Sequence, residues 1–463
     1  MTVTELPLPT RRAKPVVERP ELLPLDAGEQ YRFAFAMEAC VGCHSCEAAC
    51  AEQNGLPPEI AWRRVGEIEG GTFPDTKRFH LSMACNHCLE PACLEGCPTN
   101  AYTKLDNGVV AHEADECIGC QYCTWNCPYS VPAFQPDRRI VTKCDMCLPR
   151  LEDGRAPACV DACPTFAITV EKVDVEAWRA DHREGDAPNL PSADLTLSTT
   201  RISLPDDVPL ETYGGSEWAL RPEDPHWPLV WLTLLTQMAV GTSATASGAG
   251  ERTLTAVVAA LALGASLLHL GRPVHAWKAL RNLRRSWLSR EVALFGAFAA
   301  VAALAVVVPV AAPAATVIGG AGVFASGRLY VVPGRPAWNT PLTIVRFFAT
   351  ALVLGPLLTD GPWLTIAGVA ASALATLANL LRLRRSSRIE HWGAVRLTLH
   401  RFRVQSAVVV LGWGVGVALA LAVHPLAAVA PLALAEVLGR WLFYVTVVPL
   451  DMPGSFARAA RKH

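Results

Sequence analysis

All sixteen cysteines of this 463-residue chain fall between Cys40 and Cys163, in four groups of four. The groups are Cys40, Cys43, Cys46 and Cys50; Cys85, Cys88, Cys93 and Cys97; Cys117, Cys120, Cys123 and Cys127; and Cys144, Cys147, Cys159 and Cys163. A segment so dense in thiols folds around whatever those thiols hold. The first and third groups are spaced C-x2-C-x2-C-x3-C, and in the second, third and fourth groups the last cysteine precedes Pro98, Pro128 and Pro164.

That spacing is the one used by bacterial ferredoxins, and sixteen thiolates at four apiece match four [4Fe-4S] clusters. Zinc ribbons also use C-x2-C pairs, but as two separated pairs per ion, without the third cysteine or the Cys-Pro ending. A disulfide framework calls for an exported, loop-stapled small domain. In two-cluster ferredoxins the fourth cysteine of a run ligates the other cluster, and spacing alone leaves the pairing of the four runs open.

The segments CVGCHSCEAAC, CNHCLEPACLEGCP, CIGCQYCTWNCP and KCDMCLPRLEDGRAPACVDACP together resemble the four-cluster electron-transfer subunits of the dimethyl sulfoxide reductase superfamily, over nearly all of residues 30 to 175. The resemblance implies that outer groups pair with each other and inner groups with each other. Cys40, Cys43 and Cys46 would share a cluster with Cys163, and Cys144, Cys147 and Cys159 one with Cys50. Cys85, Cys88 and Cys93 would join Cys127, and Cys117, Cys120 and Cys123 would join Cys97. Trp62, Tyr122, Trp125 and Tyr129 interleave with the cysteines and are expected to pack around the clusters. His44, His87 and His112 are expected at the surface or supporting the ligands, since the thiols already complete four sets.

The formal charge of -1 conceals an asymmetry: residues 1–224 carry a net -16 and residues 225–463 a net +15. Five segments follow. Residues 1–30 read as an extended, proline-rich arm, in which Arg11-Arg12 lacks the apolar stretch of an export signal. Residues 31–170 read as an α+β ferredoxin-like domain with four [4Fe-4S] clusters, and 171–225, rich in Pro, Asp, Ser and Thr, as a partly ordered linker. Residues 226–456 read as an all-α polytopic membrane domain of about eight transmembrane helices, with spans near 227–247, 253–271, 292–311, 313–332, 341–359, 362–382, 404–423 and 425–449. Residues 457–463 form a basic tail.

With eight spans, the loops on one face carry the single basic residue Arg252. The other face carries eighteen, from Arg272, Lys278, Arg281, Arg284, Arg285 and Arg290 through Arg328 and Arg335, then Arg382 to Arg403, to Arg458, Arg461 and Lys462. The positive-inside rule makes the basic face cytoplasmic, and the cysteine domain, which precedes the first span, shares it. The basic loops also have the right sign to dock the acidic domain.

In the membrane part, HLGRP (His269–Pro273), SWLSRE (Ser286–Glu291) and Glu436 with GRWLFY (Gly439–Tyr444) resemble the eight-helix anchor of the dimethyl sulfoxide reductase type, usually a separate chain. Quinone chemistry needs a proton-exchanging group beside an apolar slot, and His269, at a helix end, is the leading candidate. The resemblance points to the same histidine and to Glu291; Arg272 is a candidate for orienting a quinone carbonyl. Arg346 lies inside the fifth span, and Glu436 and Arg440 stand one helical turn apart in the eighth; an internal ion pair is the plain reading there and a proton route the alternative. Haem b needs two histidines well inside the helices, and only His269 approaches that, so no haem is expected.

These readings point to electron transfer between a quinone pool (menaquinone or ubiquinone) and a separate subunit. By resemblance that subunit carries molybdenum bis-molybdopterin guanine dinucleotide. Sulfite-driven quinone reduction is the first expectation, and quinol-driven reduction of dimethyl sulfoxide, polysulfide or a similar oxidant the alternative. The acidic N-terminal half disfavours nucleic acid, and the few charges within the spans disfavour a transporter. Iron and acid-labile sulfide analysis of the purified chain should return about sixteen irons; stoichiometric zinc instead would sink the reading.

Overall fold

The computed structural model describes residues 22, 24–188, 190–205, 213–215, 220–359 and 361–451. Most of the N-terminal arm and the whole basic tail, with Arg458, Arg461 and Lys462, lie outside the described residues. The strands in chain order are β1 (Glu29–Ala36), β2 (Arg64–Thr72), β3 (Asp75–Met83), β4 (Tyr102–Lys104), β5 (Val110–His112), β6 (Ala133–Gln135), β7 (Ile140–Thr142), β8 (Ile168–Asp174), β9 (Arg201–Ser203) and β10 (Tyr213–Gly215). Short helices α1 (Ser45–Gln53), α2 (Ala92–Gly96), α3 (Tyr122–Asn126), α4 (Leu148–Glu152), α5 (Ala158–Asp161) and α6 (Val175–Ala180) lie among them. All but α6 carry or adjoin cysteines.

β1 pairs antiparallel with β8, from Glu29 opposite Asp174 to Phe35 opposite Ile168, and runs parallel to β9. The β4–β5 and β6–β7 hairpins stand apart from that sheet. The cores of this α+β domain are built from the cysteines themselves together with Phe33, Phe35, Leu81, Val109 and Ile168 in one cluster, and Val110, Ile140 and Val141 in another.

The segment expected to be a linker from residue 171 is in large part folded into this domain. It completes β8, turns through α6 and returns as β9. Trp178 is buried beneath Arg32, 4.4 Å from guanidinium carbon to ring centroid, and its Nε1 donates to Ser198 O at 2.8 Å. Thr196 donates to Cys88 Sγ at 3.1 Å, and Thr200 to Asn86 Oδ1 at 2.9 Å. Strand pairing and a buried indole give this stretch an order that its polar composition does not announce.

The second half is helical: α7 (Trp227–Thr245), α8 (Ala249–Leu267), α9 (Trp287–Val307), α10 (Ala312–Leu329), α11 (Pro341–Leu354), α12 (Pro362–Arg384), α13 (Ile389–Arg396), α14 (Arg403–Ala422) and α15 (Val429–Val445). Seven helices among the described residues are long and apolar enough to cross a membrane, α10, α11 and α15 with the short turns that adjoin them. α7 has the length but not the apolarity. Its Thr233, Thr236, Gln237, Thr242 and Ser243 are buried between neighbouring helices, and Thr233 and Thr236 donate back to Leu229 O and Leu232 O. A central helix meets protein, so polar side chains there do not face lipid. On the outer helices Val257, Leu261, Val307, Val410 and Leu421 face outward. His391 sits buried on α13, in the connection between α12 and α14.

The two halves meet on the basic face. Gly271 N and Arg272 N donate to Gly119 O and Ile118 O at 3.4 and 3.0 Å. Gly119 sits at φ +69°, where a Cβ would collide with Arg139 O and lie 2.9 Å from Gly271 Cα; a Cβ on Gly271 would strike the same Arg139 carbonyl. Both positions therefore require glycine. Around this seam Glu116 pairs with Lys278 at 3.1 Å and with Arg281, and Glu95 lies 3.8 Å from Arg285. Exposed pairs contribute only about 0–1 kcal/mol each, whereas burying the Tyr122 and Trp125 rings in the anchor's core contributes several kcal/mol. Packing and backbone contact hold the dock, and charge guides it.

Hydrogen bonding from Lys278 and the charge of Arg281 hold the Glu116 carboxyl below its ordinary value of 4.5. A depressed carboxylate stabilises the dock above that pH and loses its contribution as acid protonates it. Hydrogen exchange in detergent provides the test of the ranking: Gly271→Ala should deprotect the Arg272 amide while leaving β1 and β8 unchanged, and Arg281→Ala should alter it by less than about threefold.

Candidate electron-transfer site

The chain topology brings cysteines of distant groups together. Cys40 faces Cys43 and Cys163. Cys50 neighbours Cys159 and Cys147, and Cys144 neighbours Cys50, Cys85 and Cys159. Cys46 lies between, near Cys159. Cys85, Cys88, Cys93 and Cys127 line one cavity with Lys143 and Thr196. Cys97, Cys117, Cys120 and Cys123 form the last neighbourhood. Outer groups mostly meet outer and inner groups inner; Cys144, which also neighbours Cys85, stands where the two kinds adjoin.

Burial pushes the Cys50 and Cys88 thiols up to about 12 and the Cys127 thiol up to about 11. Thiols sequestered this way ionise only against a fixed positive charge, which ligated iron supplies. Cationic side chains are buried among them as well. Burial opposes the charge on Arg63, but Cys159, Cys46, Cys144 and Cys50 outweigh it, and Arg63 Nη1 donates to Ser82 O at 3.3 Å. Lys143, likewise buried, is held charged by Cys85, Cys93 and Cys144; it donates to Cys144 O at 2.9 Å and to Val110 O. A four-thiol cavity beside a buried ammonium fits an anionic cluster.

The histidines of this domain are supporting or surface groups. His87 is fully buried, accepts from Val110 N at 3.0 Å through Nδ1 and places Nε2 4.0 Å from Cys144 Sγ. His112 lies 4.8 Å from the Tyr102 ring, and exposed His44 pairs with Glu47 at 2.8 Å. Tyr129 packs near the cysteines, but Tyr122 and Trp125 turn toward the anchor: Tyr122 donates to Leu329 O at 2.8 Å, and Trp125 packs, tilted or edge to face, among Tyr330, Trp338 and Tyr444.

The neighbourhood of Cys97, Cys117, Cys120 and Cys123 faces the anchor. Asn282 donates to Cys97 O at 2.8 Å, Ser286 to Gly96 O at 2.7 Å and Ser289 to Pro98 O at 3.3 Å. Two residues beyond Ser289, Glu291 is buried in α9. His269 lies on the loop whose next residues form the seam. Arg272 points the other way: its Nη1 donates to Ala114 O at 2.9 Å, so it grips the cysteine domain. Deeper in the bundle Glu436 and Arg440 do not pair directly. Thr350 donates to Glu436 Oε2 at 2.7 Å and accepts from Arg440 at 3.3 Å, while Trp413 donates to Glu436 Oε1 and Arg440 donates to Gln237. Arg346 donates to Gly439 O at 2.9 Å. The expected ion pair is a network bridged by a hydroxyl.

Residues 76–173 match the family described as a 4Fe-4S dicluster domain, and residues 223–410 the family described as DMSO reductase anchor subunit (DmsC). A component of the anaerobic dimethyl sulfoxide reductase of Haemophilus influenzae is 38% identical over 177 residues, covering 36% of this chain and 86% of the relative. The protein belongs to the family of iron-sulfur subunits of dimethyl sulfoxide reductase-type complexes. The corresponding component from Escherichia coli K12 is 38% identical over 153 residues, 31% of this chain and 75% of its own length. A sulfite dehydrogenase subunit of Allochromatium vinosum is 38% identical over 160 residues, 30% and 67%. The chain is a fused iron-sulfur and anchor subunit, a multi-pass membrane protein that transfers electrons within an oxidoreductase complex.

Removing the ammonium buried beside one thiol set, as in Lys143→Met, should lower the potential of one cluster by roughly 50–100 mV, because a cation favours the more negative, reduced state. Redox titration followed by electron paramagnetic resonance reads this directly; an unchanged potential would show that Lys143 only fills space.

Proposed function

We propose that the chain carries electrons between a separate molybdopterin catalytic subunit and membrane quinone, through four [4Fe-4S] clusters held by the sixteen cysteines in the four neighbourhoods above. The ligand sets are Cys40, Cys43, Cys46 and Cys163; Cys50, Cys144, Cys147 and Cys159; Cys85, Cys88, Cys93 and Cys127; and Cys97, Cys117, Cys120 and Cys123. When bound, each cluster accepts and releases one electron. The observation that carries the reading is the hydrogen bonding of Asn282, Ser286 and Ser289 to residues 96–98, which fixes the helix bearing Glu291 against the last cysteine set. In the first cysteine group Cys43 and its neighbour Val41 are exposed, where a catalytic partner has access.

The chain's own residues place the quinone. His269 and Glu291 are assigned to exchange protons with its oxygens, while Arg272 holds the loop carrying His269 against the cysteine domain. α7 is assigned as the eighth membrane helix. The iron-sulfur face is assigned to the cytoplasm. Arg384, Arg385, Arg388, Arg396, Arg401 and Arg403 are exposed on the same face, so docking does not account for them and the positive-inside bias does.

A cytoplasmic catalytic face favours sulfite as electron donor, and one relative is part of a sulfite dehydrogenase. The relatives from anaerobic dimethyl sulfoxide reductases favour the second reading, quinol-driven reduction of a sulfoxide or polysulfide. Inside-out vesicles containing the complex should reduce a quinone analogue with sulfite, and His269→Ala or Glu291→Gln should lower that rate by about tenfold or more. Oxidation of a quinol analogue by dimethyl sulfoxide or polysulfide, with no sulfite activity, would replace the first reading with the second.

A further inference from the structure

A cavity of about 510 Å³ lies between the iron-sulfur domain and the anchor, where residues 221–226 lead into α7. Glu59, Asp137, Glu223 and Asp224 line it and outnumber the two cations, Arg221 and Arg335; His226 completes the charged and titratable lining. Acidic walls keep such a space wet and rich in exchangeable protons. His226, at the N-terminus of α7 with φ +46°, stands between this polar space and an aromatic box. Its ring centroid is 5.3 Å from that of Trp125, edge to face, and 6.1 Å from that of Tyr444.

Beyond His226 the polar chain continues inward. The Tyr444 and Tyr330 hydroxyls are 2.6 Å apart, and both residues are buried. Glu291 lies within electrostatic reach of both tyrosines. Trp338, Phe347 and Phe443 pack against the Tyr330 ring, with centroids 5.3–5.4 Å away. The charged and titratable groups facing His226 are Glu223, Asp224, Arg335 and His269. Burial lowers its basicity while Glu223 and Asp224 oppose that, which keeps a neutral imidazole within reach of a proton.

We infer that His226 relays protons between this cavity and Glu291 through the Tyr444–Tyr330 hydroxyl pair. The inference rests on the quinone site proposed at Glu291. Reduction of one quinone takes two electrons from the iron-sulfur domain and two protons, forming an O–H bond on each quinone oxygen. A proton entering this route binds one ring nitrogen of His226, and the other nitrogen releases one to Tyr444. Tyr444 passes its own hydroxyl proton to Tyr330, Tyr330 passes its own to Glu291, and Glu291 gives its proton to the quinone. Each group returns to its starting protonation state, and bulk water refills the cavity. Quinol oxidation runs the same route outward.

The test uses the intact complex with its catalytic subunit. Cluster reduction by a quinol analogue is followed in stopped flow, reduced viologen serves as an electron source that needs no proton, and binding of a fluorescent quinone-analogue inhibitor is measured separately. His226→Ala should slow quinol-driven reduction by about tenfold or more, alter its pH profile and regain rate with added imidazole. Viologen-driven reduction and inhibitor affinity should be unchanged. Tyr444→Phe, which removes one hydroxyl and keeps the ring, should slow the quinol reaction similarly without imidazole rescue. A wild-type rate and pH profile in His226→Ala, a slow rate that imidazole does not restore, or weakened inhibitor binding overturns the relay. A wild-type complex that neither binds the inhibitor nor exchanges electrons with quinol overturns the quinone site itself, and the relay with it.

Discussion

The close approach of two glycine backbones, Gly119 and Gly271, sets the geometry on which the rest of the molecule depends. The Gly119 side of the seam belongs to the loop bearing Cys117 and Cys120. The Gly271 side follows His269 by two residues. The seam thus joins the last thiol set to a candidate proton-exchanging group without an intervening side chain. Neither ion pairs nor aromatic packing alone would fix that register, because both tolerate a sliding of a few ångströms and a backbone contact does not.

Electrostatics acts on two scales. Over the whole chain, a net -16 half meets a net +15 half, and Lys278, Arg281 and Arg285 meet Glu116 and Glu95 at the dock. Inside the iron-sulfur domain, Arg63 and Lys143 are sealed among thiols, where a lone cation would be strongly unfavourable and an anionic cluster makes it favourable. The first effect is screened by salt; the second is screened much less. The buried cations are therefore the ones that bear on cluster chemistry.

How much of this was legible follows from what each signal is made of. Cysteine spacing is a local covalent pattern, so the four groups were visible outright; which groups meet is a matter of topology and came only from resemblance. Apolar length suggested eight spans, the first at 227–247; seven of the helices are long and apolar enough to cross, and α7, which fills that first span, is less apolar because its Thr and Gln side chains face protein. The folded part of residues 171–203 was hidden, since Pro, Asp, Ser and Thr read as coil until β1 is present to pair with β8 and β9. Tyr122 and Trp125 looked like cluster packing because nothing in a single sequence tells which domain an aromatic ring will face. Arg272 was legible as important but not in direction: it binds Ala114 O of the cysteine domain. His226, just ahead of the first span, carried no periodic or spacing signal at all.

Fusion of the two parts into one polypeptide changes what the dock must do. A covalent tether raises the effective concentration of one part near the other to roughly millimolar, so the contact need not be strong to persist. It must instead be specific, because a tether holds the domains close in any orientation. The exposed ion pairs, each weak, suffice to orient approach, and the glycine seam with the buried Tyr122 and Trp125 rings admits one final register. That division of labour explains why the most demanding steric fit in the interface falls where the last thiol set meets the loop carrying His269, and the salt-dependent contacts fall around it.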